Sequence, residues 1–129
     1  MRKLMDDVAA FHRACDVPAL DKPQIPPLAR VQLRAALIKE EAKETIEAMR
    51  LDDLPAIADG LADLIYVTVG TALEYGIPLD CVWDAVQQAN MAKVDPTTGK
   101  VRKREDGKVL KPDGWTPPDI AAVLYAQEA

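Results

Sequence analysis

A single histidine in 129 residues, His12, removes one class of site before any other feature is weighed. A carboxylate-bridged di-iron centre in a helical bundle draws a Glu-x-x-His pair from each of two helices, and one imidazole cannot supply both. Cysteine is almost as scarce. Cys15 and Cys81 lie in unrelated segments with no metal-ligand spacing, which reads as two reduced, buried thiols in a cytoplasmic protein. Aromatics are few: one Phe, two Trp and three Tyr. The core must then be built from Ala, Leu, Ile and Val, which favours packed helices over a β-sandwich. Long apolar runs are missing as well. The stretch Leu61 to Leu73 is nearly uncharged, but it is too short to span a bilayer and contains Asp63. Asp6 and Asp7 stand where a signal peptide would be apolar, so neither secretion nor a membrane is expected.

What is present is an apolar, globular composition, 49% hydrophobic, in a length suited to one domain over residues 1–129 with three to five helices. Net charge is −5, unevenly spread. Residues 93–111 hold seven of the 16 basic residues and three acids, a local +4 that leaves −9 elsewhere. An acidic body with a basic flap suits a protein that holds metal in one part and an anion in another.

Leu4, Val8, Phe11 and Cys15 repeat at helical spacing, predicting a helix over 2–15. Pro18, Pro23, Pro26 and Pro27 then enforce an extended linker. A second helix spans 28–50 without Gly or Pro. One of its faces carries Val31, Ala35, Ile38, Ala42, Ile46 and Met49, and Leu33, Leu37, Glu41, Glu44 and Ala48 lie nearly opposite. Such a helix is expected to be covered on both sides, by its own bundle and by a second subunit. Asp52 or Asp53 can cap a third helix that Gly76 ends. A fourth runs over 79–93, stopped by Pro96. Asp106-Gly107 suggests a small hairpin, and Thr116-Pro117-Pro118-Asp119 starts a short final helix.

Four glutamates, Glu40, Glu41, Glu44 and Glu47, crowd one side of the second helix, and Asp59 and Asp63 interrupt the apolar third. Each like-charged i,i+3 or i,i+4 pair costs about 0.2–0.5 kcal/mol even in water. One reading is a solvated face neutralised in part by Lys39 and Lys43. Against it, Glu41 and Glu44 share their face with Leu33 and Leu37. Asp63 sits among Leu61, Leu64, Ile65 and Val67, where an unpaired ionised carboxylate is expensive. Oxygen donors in this number favour Mg²⁺ or Mn²⁺ over zinc.

Glu40-Glu41-x-x-Glu44, followed by Ala58-Asp59-Gly60-Leu61-Ala62-Asp63-Leu64-Ile65-Tyr66-Val67, resembles the signature of the all-α nucleoside triphosphate pyrophosphohydrolases. That superfamily includes MazG, the phosphoribosyl-ATP pyrophosphohydrolases and the dimeric dUTPases. Phe11-His12-Arg13-Ala14, Asn90-x-x-Lys93 and the segment Asp106-Gly107-Lys108-x-Leu110-Lys111-Pro112-x-Gly114-Trp115 are similar to the short single-domain MazG-like proteins of bacteria and phages. One position departs. The family pattern is Glu-x-x-Asp on the second acidic helix, and Gly60 stands three before Asp63.

The resemblance implies an all-α bundle of four to five helices with a small C-terminal hairpin or loop flap, assembled as a homodimer or homotetramer. It implies hydrolysis of a nucleoside triphosphate to the monophosphate and pyrophosphate, with two or more Mg²⁺ or Mn²⁺ ions. Glu41, Glu44 and Asp63 become metal ligands, with Asp59 standing in for the missing glutamate or not ligating at all. Glu40 would orient or deprotonate the attacking water, or serve as a further ligand. Asn90, Lys93, Lys108 and Lys111 become phosphate contacts, although Asn90 and Lys93 also suit an ordinary helix C-terminus. Trp115, Phe11 and His12 would surround the base unless they are packing material. Likeness to phage proteins leans toward a guanine nucleotide, then dUTP. Phosphoribosyl-ATP hydrolysis shares the core motif, and a non-catalytic nucleotide- or nucleic-acid-binding protein would share the fold, with Gly60 marking lost catalysis. The basic segment has too little aromatic interleaving to argue for nucleic acid.

Overall fold

Helix boundaries fall where local chemistry puts them. In the computed structural model, which describes residues 1–126, α1 is Arg2–Ala14, α2 Leu28–Arg50, α3 Leu54–Tyr75, α4 Leu79–Met91 and α5 Ile120–Tyr125. A two-stranded hairpin, β1 (Val94–Asp95) and β2 (Lys100–Val101), follows α4. The chain divides into two compact units, Met1–Leu79 and Asp80–Ala129.

In the first unit α2 runs for 23 residues because strong helix formers fill it, and Pro27 in extended conformation starts it. Asp53 caps α3, its Oδ1 accepting from the Ala56 amide at 3.2 Å. Gly76 ends it in the left-handed region at φ 67°. A side chain there would also run into the Lys22 carbonyl, because the proline-rich linker is laid along this end of α3. The Leu20 amide donates to the Leu73 carbonyl (3.0 Å) and the Gln24 amide to that of Tyr75 (2.9 Å).

Helix α3 is central, packed by α1 and by α2. Against α1 the core is Met5, Val8, Val69 and Leu73, flanked by Met1, Ala9 and Leu79. Against α2 the contacts run antiparallel in one register. Thr45 meets Gly60, Arg34 reaches Val67 and Thr71, and Arg30 reaches Glu74. By length and composition α3 is apolar enough to cross a membrane, which a count limited to 61–73 misses. Within the unit it is the helix on which the other two pack.

Two expectations about packing are corrected. The side of α2 against α3 carries Arg34, Thr45 and Ala48, all buried, whereas Ile46 and Met49 on its purely apolar face are about half exposed. A salt-bridged arginine and small residues let the helices close, and apolar periodicity does not distinguish that side from the other. Cys15 and Cys81, expected in the core, are exposed. Both occupy helix ends facing outward, where helical spacing alone predicted packing.

In the second unit Val94 pairs with Val101 and Asp95 with Lys100, around a turn closed by the Gly99 amide on the Asp95 carbonyl at 2.8 Å. The Asp106-Gly107 turn forms as well. The Gly107 amide donates to the Arg104 carbonyl at 2.9 Å, and the Arg104 amide to that of Lys108 at 2.8 Å. Only one bridge, Lys103 to Val109, flanks it. Asp119 caps α5 through the Ala122 amide at 3.0 Å.

Candidate metal and nucleotide site

The register of α2 on α3 places Glu41 across from Asp63, one turn from the Thr45–Gly60 contact. Glu41 is half-buried, and its Oε2 is shut off from solvent with no hydrogen-bond partner. Desolvation pushes the Glu41 carboxyl up from its usual range, and Glu44, Asp63, Glu40 and Asp59 push it further. Four acids drawn from two helices therefore act on one carboxylate. Among the described residues, none of Glu40, Glu41 and Glu44 makes an ion pair within 4.0 Å. Lys39 and Lys43 stand exposed without neutralising this face by contact.

The burial expected for Asp63 is corrected. Asp63 and Asp59 are exposed, as are Leu61 and Ile65 around Asp63, whereas Gly60 in the same stretch is the position buried against α2. Desolvation acts on Glu41 instead. Among the described residues no three acidic, histidine or cysteine side chains already converge on one ion-sized space. Glu40, Glu44 and Glu47 line a groove of about 530 Å³ between the C-terminal half of α2 and the start of α3, closed on the far side by Asp53 and Ala56. An orphaned carboxylate oxygen and an all-oxygen donor set suit a hard divalent cation such as Mg²⁺.

Phe11 and His12, paired in the sequence, part company in the fold. The Phe11 ring is exposed and meets the Tyr66 ring edge-on at 5.9 Å. Tyr66 lies three residues after Asp63 on α3, a contact the sequence reading did not identify. His12 is buried, and a base contact by its side chain is corrected. The imidazole packs over Gly70, where a Cβ would stand 2.8 Å from its Nε2 and 2.7 Å from an Arg34 nitrogen. Beneath it Glu74, only 2% exposed, accepts from Arg30 Nε at 2.7 Å and lies 3.0 Å from Arg34 Nη1. Arg34 also donates to the Val67 carbonyl (2.8 Å) and to Thr71 (3.1 Å). The signal for this network was two arginines one turn apart, at 30 and 34, in a helix with a buried side.

In the second unit four predicted residues meet. Trp115 donates its Nε1–H to the Ala89 carbonyl at 2.7 Å. Over the same indole stand Lys93 Nζ, 5.1 Å from the centroid, and Lys111 Nζ at 4.9 Å. Asn90 Oδ1 accepts from Lys93 at 3.1 Å. Lys93 and Arg102 also line a neighbouring cavity of about 280 Å³. Lys108 is exposed on the Asp106-Gly107 turn, away from the indole contacts, its amide held by Asp106 Oδ1 at 3.1 Å.

Residues 8–90, which carry every acidic position of this site, match the family described as phosphoribosyl-ATP pyrophosphohydrolase. The chain belongs to the phosphoribosyl-ATP pyrophosphohydrolase family. That places it in the all-α nucleoside triphosphate pyrophosphohydrolase superfamily, whose members typically use Mg²⁺ and act on nucleotides. A 50-residue stretch is 42% identical to an uncharacterised protein of Acanthamoeba polyphaga mimivirus. The stretch is 39% of this chain and 20% of that relative, so the two share a segment and not a whole length. Membership of the pyrophosphohydrolase family accounts for a helical chain whose conspicuous polar residues are carboxylates on facing helices.

Proposed function

We propose that this chain hydrolyses a nucleoside triphosphate to the monophosphate and pyrophosphate, as one module over residues 1–129, in the cytoplasm. The observation that carries the reading is Glu41, with its solvent-excluded, unpartnered oxygen pressed by four further carboxylates from α2 and α3. Glu41, Glu44 and Asp63 hold Mg²⁺ or Mn²⁺, two or more ions, and Asp59 serves as the fourth acidic position in place of Gly60. Bound divalent ions supply neutralisation of phosphate charge and a more acidic water. Glu40, exposed on the groove side of α2, orients or deprotonates the attacking water. Asn90, Lys93, Lys108 and Lys111 contact phosphate. The indole-bound lysines are the best placed of these, since one ring gathers both ammonium groups. Phe11 and Trp115 are the remaining base contacts. Self-association covers the half-exposed Leu33, Ile46 and Met49 of α2, as a homodimer or homotetramer.

The preferred substrate is a guanine nucleotide, dGTP or GTP, with dUTP next. Phosphoribosyl-ATP is the second reading, favoured by the description of the matched family. Pure protein incubated with Mg²⁺ or Mn²⁺ and each of these compounds decides the matter. Pyrophosphate release with a monophosphate product supports hydrolysis, and the fastest substrate identifies the branch. Tight binding of every nucleotide with no pyrophosphate from any would sink it in favour of a binding protein.

A further inference from the structure

We infer that Gly60 is a positioning residue that sets Glu41 against Asp63, and not a blank left by a discarded ligand. The inference rests on the carboxylate reading above. A Cβ at position 60 would stand 2.5 Å from Thr45 Oγ1 and 3.2 Å from both the Cα and the Cβ of Thr45. The first separation lies well inside normal contact, and the other two are a few tenths of an ångström too tight. The side chain of any residue at 60 is thus aimed into α2, at Thr45.

Thr45 has no easy way to yield. It is 4% exposed and β-branched, which stiffens its rotamer. Its hydroxyl donates to the Glu41 carbonyl at 2.7 Å. A methyl group on residue 60 must then break that hydrogen bond or part α2 from α3. Parting the helices carries Glu41 away from Asp63, and losing the hydrogen bond removes a side-chain contact on the Glu41 backbone, whose carboxylate Oε2 has no partner of its own. The chain of contact runs from Gly60 through the Thr45 hydroxyl to the backbone of Glu41, and from the helix register to Asp63. A glutamate at 60 would add a further carboxylate only by spreading those already there.

The test is a calorimetric Mn²⁺ titration of the full chain, with melting in EDTA measured alongside. Gly60→Ala weakens Mn²⁺ binding by about tenfold or more, the range seen when groups supporting metal ligands are removed. Gly60→Glu weakens it too, whereas a lost-ligand account requires it to tighten. Thr45→Ala in the Gly60→Ala background removes the nearest clashing atom and recovers part of the affinity. Gly70→Ala, which meets Arg34 and His12 instead, lowers the melting temperature and leaves Mn²⁺ affinity unchanged. Tighter binding by Gly60→Glu, wild-type affinity in Gly60→Ala, or no recovery in the double variant overturns the inference. Should Gly60→Ala fail to fold, the double variant must fold and bind Mn²⁺, and its failure counts equally against the idea. A wild-type chain that binds no Mn²⁺ even with nucleotide present defeats the carboxylate reading itself, an outcome distinct from a variant series that moves the wrong way.

Discussion

Arg34 Nη1 lies 3.0 Å from Glu74 Oε2, with 7% and 2% of the two side chains exposed. Arg30 completes the arrangement from the rim, its Nε 2.7 Å from the other carboxylate oxygen. One buried carboxylate thus serves two guanidinium groups and pins the start of α2 to the end of α3. Breaking a buried pair by removing one partner leaves an uncompensated charge, which costs about 3–5 kcal/mol. Glu74→Gln is expected to lose that much in urea denaturation. Arg30→Gln, at a position one-third exposed, should lose about 1 kcal/mol. A loss below 1 kcal/mol for Glu74→Gln would mean that Arg34 finds water in the variant.

His12 makes the same cluster sensitive to acid. Burial lowers its pKa from 6.5 first, Arg34 and Arg30 lower it further, and Glu74 opposes them. A depressed folded pKa means that the unfolded chain takes up the proton first. The contribution of His12 to stability is therefore complete above pH 6.5 and is lost as pH falls through the lowered value. Denaturation midpoints measured from pH 7.5 down to 5 should decline in the wild type and decline less in His12→Gln. Equal slopes in the two chains would remove His12 from the account.

Much of this was readable beforehand, for local reasons. The span of α2 follows from a stretch free of Gly and Pro, and that of α3 from Asp53 and Gly76, because caps act over three or four residues. The acidic face was legible because helical spacing fixes which side chains share a side. What stayed hidden depends on partners far along the chain. Arg34 and Glu74 are 40 positions apart, so nothing local announces that they meet and take His12 inside with them. The β1–β2 hairpin escaped notice because two-residue strands give no alternation to detect, although Asp95-Pro96 followed by Gly99 is a turn signal. Apolar neighbours predict an interior position for Asp63, yet two of those four neighbours, Leu61 and Ile65, are themselves about half exposed.

Glu44→Gln separates the catalytic role of the acidic face from its effect on folding. Turnover should fall by about 100-fold or more, since metal-mediated charge stabilisation is worth several kcal/mol. Metal-free stability should hold or rise, because one of the charges pressing on Glu41 is gone. The sign with pH follows. The folded pKa of Glu41 is raised above 4.5, so the metal-free chain gains stability as pH falls through the raised value and loses it as pH climbs back. In Glu44→Gln that pH response should shrink. Intact turnover would remove Glu44 from the site.

Trp115 offers the corresponding test in the second unit. Its indole is anchored by one hydrogen bond to Ala89 and bears two ammonium groups, each about 5 Å from the ring centre. Exposed cation–π contacts are worth about 0.5–1 kcal/mol each, and the hydrogen bond about 0.5–1.5 kcal/mol. Trp115→Phe keeps an aromatic face and deletes the donor, so it should lower stability slightly while the lysines remain gathered. Trp115→Leu removes the face as well. Lys93 and Lys111 then meet an anion without prior ordering, and an ordering cost near 1 kcal/mol corresponds to about a fivefold rise in KM. Turnover at saturation should change little, because no carboxylate is touched. Steady-state kinetics on both variants decides between the roles: a KM that rises in Leu and not in Phe assigns the ring to lysine positioning, and equal effects would assign it to packing through Ala89.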